Sequence, residues 1–147
     1  MTVFYADTSA LIRAYVADEP DHRELRALLL DGQAAVLTSE VARIEFASAV
    51  VAAARAGRLG TPRDLLGRFD ADCSEGGPIA LVRLEAEILL PVARDLVVSY
   101  ALRTLDAIHL AAALAEEPAL PKGVDLIFVT RDRAQGHVAR DLGLTVR

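Results

Sequence analysis

The stretch Asp125-Leu126-Ile127-Phe128-Val129-Thr130-Arg131-Asp132 decides the fold. Its centre is apolar without alternation, the pattern of a strand covered on both faces, and such strands belong to parallel sheets. Helical spacing follows at once, from Asp132 to Leu142, and Gly143 stops it before a last short strand at Leu144 to Val146. An earlier stretch has the same form: Val3 to Ala6 is an apolar run that ends in Asp7-Thr8-Ser9, after which Leu11, Ile12 and Tyr15 take helical spacing. Strands that run straight into helices predict an α/β fold.

The residues between these stretches continue the alternation. Pro20 among Asp18, Glu19 and Asp21 marks a helix start, and His22 to Leu30 carries Leu25, Leu28 and Leu29 before Gly32. Ala35 to Leu37 predicts a second strand, with Thr38 or Ser39 placed to cap a long helix that runs to about Arg55 and ends at Gly57. Thr61-Pro62 opens another helix through Leu65, Leu66 and Phe69, and Gly76-Gly77-Pro78 breaks the chain before a third strand at Ile79 to Leu84. Glu85 to Glu116 reads as two helices that meet near Ser99 to Thr104, with Pro91 kinking or starting the first. The expectation is a single domain over residues 1–147 with a short, mostly parallel sheet of about four or five strands and helices on both faces.

Composition narrows the function. A chain of 147 residues with 53% hydrophobic content has enough apolar material for a core, and Cys73 stands alone, so no disulfide forms within it. Intracellular, cytoplasmic residence is expected, because neither a signal sequence nor an apolar run approaching the roughly 18 residues of a membrane span is present. The net charge of −5 argues against a surface that binds nucleic acid everywhere, yet fifteen of the sixteen basic residues are Arg, the better residue for phosphate. Phosphate recognition would have to be local.

Four carboxylates stand out, each with an ordinary structural role beside the chemical one. Asp7 and Asp132 follow apolar strands, where ligands of parallel sheets bind, and either can simply cap its helix. Asp106 lies near Thr104 at a helix start, where an acid offsets the macrodipole. Glu45 differs, because Val41, Ala42, Ser48 and Ala49 make its own helix face apolar or small. A carboxylate on such a face is expected to be buried, and needs a proton, a base or a cation. His109, one turn after Asp106 on an apolar helix, reads as a core or supporting histidine and is left out of the site.

If the fold gathers these acids, two carboxylates about 6 Å apart repel by roughly 3 kcal/mol at an effective dielectric near 20. A divalent cation relieves that repulsion, and an all-oxygen donor set selects Mg²⁺ or Mn²⁺ over Zn²⁺. Such an ion binds a phosphodiester oxygen, activates a water and stabilises the leaving oxygen, so phosphodiester hydrolysis is the chemistry the set suits. Thr8, Ser9 and Thr130 are supporting hydroxyls, Ser9 foremost. Arg13, Arg43, Arg103, Arg131 and Arg133 are candidates for substrate phosphate.

These residues resemble the PIN-domain nucleases, in particular the VapC-type ribonuclease toxins of bacterial type II toxin–antitoxin pairs. Asp7-Thr8-Ser9-Ala10-Leu11 resembles the family's first-strand motif, Arg43-Ile44-Glu45-Phe46 its helix glutamate, Leu102 to Ala111 its central motif, and Phe128-Val129-Thr130-Arg131-Asp132 its final one. The resemblance implies a PIN fold, a Mg²⁺- or Mn²⁺-dependent endoribonuclease acting on RNA, a homodimer, and inhibition by a small VapB-like antitoxin. It also implies that Asp7, Glu45, Asp106 and Asp132 serve as catalytic and metal-holding residues. Some members carry a further acid near the last motif, whereas Thr130, Arg131 and Ala134 surround Asp132 here, so one tightly held metal is expected.

Other readings meet specific obstacles. A haloacid dehalogenase-like phosphatase needs an acid two positions after its first aspartate, and that position is Ser9. A receiver domain needs a late-strand lysine, whereas Lys122 precedes the last long strand. A PIN-family RNase in RNA processing, or a PIN scaffold that binds RNA or protein without cutting, are further alternatives, and the intact acid set disfavours the silent scaffold.

Overall fold

A computed structural model describes all residues, 1–147. Five strands, β1 (Thr2–Ala6), β2 (Ala35–Ser39), β3 (Ile79–Val82), β4 (Asp125–Val129) and β5 (Thr145–Val146), form one sheet in the order β3-β2-β1-β4-β5. Every pairing is parallel. Helices α1 (Thr8–Tyr15), α2 (His22–Leu29), α3 (Ala42–Arg55) and α4 (Pro62–Asp72) follow in the first half, and α5 (Ala86–Tyr100), α6 (Thr104–Glu116) and α7 (Arg133–Asp141) in the second. The predicted α/β class with helices on both faces is what the chain adopts.

The apolar strands divide their side chains between two cores, because successive residues of a strand point to opposite faces. Val3 and Tyr5 of β1 join Leu126 and Phe128 of β4 under α5, α6 and α7. Phe4 and Ala6 turn the other way, against α1, α2, α3 and α4, where Tyr15, Phe46 and Phe69 pack as an aromatic trio. Central strands covered on both faces have no polar side to show, which is why they read as unbroken apolar runs.

Several boundaries differ from expectation. Thr38 and Ser39 do not cap α3. They finish β2, fully buried, with Thr38 donating through its hydroxyl to the Ala6 carbonyl at 2.7 Å. Val41 takes the cap position of α3 without a side-chain bond. Pro91 lies inside α5, so it does not start that helix, and β3 ends two residues early at Val82.

The chain builds β1, β2 and β3 outward on one side, then crosses to lay β4 and β5 on the other. The direction reverses between β1 and β4. In parallel sheets the crevice beyond the carboxyl ends at such a reversal is where ligands bind. Asp7 and Asp132 stand there.

Candidate active site

Asp7 leaves the end of β1 with its backbone N–H bonded to the Val129 carbonyl of β4 at 3.1 Å, which fixes it at the strand reversal. Its side chain caps α1, since Oδ1 accepts from the Ala10 N–H at 3.0 Å. The same oxygen accepts from the Ser9 hydroxyl at 2.7 Å, and the Thr130 hydroxyl lies 2.7 Å from Oδ2. Asp7 is only 2% exposed. Burial raises its carboxyl above the ordinary range, against the opposing pull of the Ala10 N–H, His109 and the two hydroxyls. Capping therefore accounts for part of this residue and leaves a buried carboxyl with no Lys or Arg partner.

Glu45 is half-buried on α3, with 18% of its side chain exposed. The partner it needs comes from α6: His109 Nε2 lies 2.7 Å from Oε1, and Thr8 donates to the same oxygen at 2.9 Å. Burial pushes the Glu45 carboxyl up, but the His109 bond and charge, the Thr8 hydroxyl and Arg103 together bring it below its ordinary value. His109 is itself buried and reaches the Tyr5 hydroxyl through Nδ1 at 3.2 Å. A Tyr5 hydroxyl that donates to Nδ1 leaves Nε2 to donate to Glu45, so the buried ring is oriented toward the carboxylate.

Asp106, in the first turn of α6, and Asp132, the cap of α7, meet across Arg103. The guanidinium donates to Asp106 Oδ2 at 2.9 Å and to Asp132 Oδ2 at 3.1 Å while 78% of the Arg103 side chain stays exposed. Asp132 Oδ1 meanwhile accepts from the Gln135 N–H at 2.9 Å.

All four acids line one cavity of about 500 Å³, with Thr8, Ser9 and His109 in its wall and Ile44 and Leu105 forming exposed apolar flanks. Four elements far apart in sequence supply them. In this arrangement no three Asp, Glu, His or Cys side chains converge on a common point that would hold a metal ion. The reason is local: Arg103 draws Asp106 and Asp132 to itself, and His109 draws Glu45. The donor set fits a hard divalent cation in kind, being all carboxylate oxygen around a buried, uncompensated Asp7. Arg103 supplies the counter-charge in its place.

The supporting hydroxyls are tightly integrated. Ser9 also accepts from the Arg131 N–H at 2.9 Å, and Thr130 from the Asp132 N–H at 3.0 Å, so these two residues lock the turn after β4 to the start of α1. Among the candidate arginines, Arg103 alone faces the carboxylates. Arg13 and Arg131 line a neighbouring cavity, and Arg43 lines neither, being paired with Asp70 at 2.8 Å. His109 is the buried, supporting histidine its apolar helix suggested, but which groups it supports was not legible, because its partners, Tyr5 and Glu45, lie 104 and 64 residues away. Its spacing one turn after Asp106 was the only available signal.

Known proteins share this arrangement of strands and helices. The fold recurs in VapBC2 from Rickettsia felis, solved bound to a DNA fragment from its promoter, at 15% identity over 99% of this chain and 97% of that chain, with a TM-score of 0.63. It recurs also in a toxin–antitoxin complex from Klebsiella pneumoniae, at 20% identity over 90% of this chain and 87% of that chain, with a TM-score of 0.53. No curated protein matches the chain in sequence. The family model of the PIN domain matches residues 4–141, a span that takes in all five acid- and histidine-bearing positions of the cavity. The chain belongs to the PIN domain family.

Proposed function

We propose that this protein is a divalent-metal-dependent endoribonuclease acting as the toxin of a VapBC-type pair. The observation that carries the reading is the convergence of Asp7, Glu45, Asp106 and Asp132, from four separate elements, on one open cavity at the strand reversal. Stability alone gives no reason to gather four acids there, since each repels the others.

In this reading the four carboxylates hold a Mg²⁺ or Mn²⁺ ion, with Asp7 as the most deeply placed. Bound there, the ion supplies positive charge to the scissile phosphate and an activated water. Ser9 and Thr130 orient Asp7. Thr8 and His109 orient Glu45 and keep it ionised, so that it accepts a proton or a cation contact without rearranging. Arg103 is free to leave Asp106 and Asp132 for the substrate phosphate, because most of its side chain is in solvent. The fold neighbours described as VapBC2 and a toxin–antitoxin complex support a small VapB-like antitoxin as partner. A homodimer in the cytoplasm, folded as one domain, completes the proposal, and no helix is long and apolar enough to cross a membrane.

One observation favours a second reading, a PIN scaffold that binds RNA without cutting: Arg103 already neutralises two of the acids. One experiment separates the two. Purified protein incubated with a mixed RNA pool is expected to cut it in Mg²⁺ or Mn²⁺, to stop in EDTA, and to resume when Mn²⁺ is restored. Intact RNA under every metal condition overturns the nuclease. Mapping cleavage ends in total cellular RNA then identifies the target.

A further inference from the structure

Beside the carboxylates lies a second cavity, of about 480 Å³, half of whose ten lining residues are arginines, Arg13, Arg131, Arg133, Arg140 and Arg147, with Asp21 and Asp132 the acids among the rest. A third of the chain's fifteen arginines thus meet at one place in a protein of net charge −5. We propose that this cavity binds the phosphodiester backbone of single-stranded RNA, holding the strand on one side of the bond to be cut. The identity of the anion rests on the nuclease reading; the site itself rests on how the fold anchors these arginines and leaves their charge unbalanced.

The arginines are held in place by the fold. Arg147 is tied to β4 through both backbone groups, its N–H to Phe128 at 2.9 Å and its carbonyl to the Thr130 N–H at 3.1 Å. Arg131 is only 16% exposed in its side chain, and its N–H is bound by Ser9. Arg140 reaches back over Gly136. A Cβ on that glycine would stand 3.4 Å from Thr130 Cγ2 and 3.7 Å from Arg140 Nη1, so the guanidinium lies within van der Waals reach of the α7 backbone.

Charge does not balance within the cavity. Asp21 and Glu24 between them hold three guanidiniums: Arg131 at 3.0 and 3.4 Å, Arg13 at 3.5 Å and Arg147 at 3.7 Å. Asp132 also lines the cavity, but its free oxygen is turned away to Arg103. Arg133 and Arg140 form no ion pair with any of these acids. They lie seven residues apart on one face of α7, about 10 Å along its axis, with every donor available. Planar guanidinium forks match phosphate oxygens in pairs, and they do so at modest desolvation cost.

Position gives the site its meaning. Asp132 lines both cavities, so a strand with one phosphate among the four acids carries its neighbouring phosphates to the arginines. A protein acidic overall would then grip RNA at one stripe, next to the bond it cuts.

The test is the salt dependence of binding. A fluorescein-labelled single-stranded RNA 12-mer is titrated with protein in EDTA, where no cutting occurs, over a series of KCl concentrations. The double variant Arg133→Gln/Arg140→Gln is expected to bind about tenfold or more weakly, with the slope of log K against log salt reduced by about 1.4, or 0.7 per lost phosphate contact. A control with the same charge loss elsewhere, Arg63→Gln/Arg94→Gln, is expected to keep the native slope. An unchanged slope in the first variant, or an equal loss in the second, overturns the site. Arginine-dependent binding by a wild-type protein that cuts nothing in Mn²⁺ overturns the nuclease reading and upholds the site.

Discussion

Asp7 illustrates how one side chain serves structure and chemistry at different costs. Its carboxyl binds a proton more tightly in the fold than in the unfolded chain, so its favourable contribution is present below the ordinary carboxyl range and is lost as pH rises through the raised value. Above the ordinary carboxyl range, burial of this group therefore weakens the metal-free protein. Asp7→Asn keeps an oxygen for Ala10 and Ser9 and offers an amide N–H to Thr130, whose own hydrogen can turn to Gln135 Oε1 at 2.9 Å. The variant is expected to raise Tm in EDTA at pH 7 by about 2–4 °C, near 1 kcal/mol, as thermal denaturation will show. His109 tests the opposite case. His109→Leu strips a partner from both Tyr5 and Glu45 and is expected to cost about 1–3 kcal/mol in chemical denaturation, whereas Tyr5→Phe added to it restores part of the loss by removing the orphaned hydroxyl. Glu45 was legible from its apolar helix face alone. The histidine that answers it was not, because a pattern along one helix does not show which helix will face it.

The elements were legible where local chemistry settles them and illegible where packing does. Thr61 before Pro62 caps α4 as its sequence announces, accepting from the Arg63 N–H. Thr38 and Ser39 look like caps too, but pairing with Leu81 and Val82 of β3 extends the strand through them, and ladder bonds outweigh a cap. At the end of α5 the chain turns through Ala101 in the left-handed region, at φ 54°. An L-residue there costs about 1–2 kcal/mol, and glycine removes that strain. Ala101→Gly is expected to raise Tm by about 2–4 °C without altering RNA cleavage, measured by calorimetry and a cleavage assay on the same preparation. That turn sets where α6 begins, and so where Asp106 and His109 stand.

The molecule as a whole is a parallel sheet whose strand order reverses between β1 and β4, with acids beyond the carboxyl ends and arginines beside them. Unbroken apolar runs at Val3 to Ala6 and Leu126 to Val129 were enough to place two of the four acids at that reversal. The other two reach it on helices, and only the packing of α3 and α6 against the sheet brings them in. Net charge, by contrast, misdirects: an acidic total conceals a basic cavity, because composition averages over the surface on which the arginines cluster. The measurement that bears hardest on the nuclease reading pairs two properties of one variant. Wild-type and Asp7→Asn protein are compared for cleavage of labelled single-stranded RNA in Mn²⁺ and for Tm in EDTA. Loss of cleavage in a variant at least as stable as wild type is the predicted result, and cleavage by Asp7→Asn at the wild-type rate contradicts it.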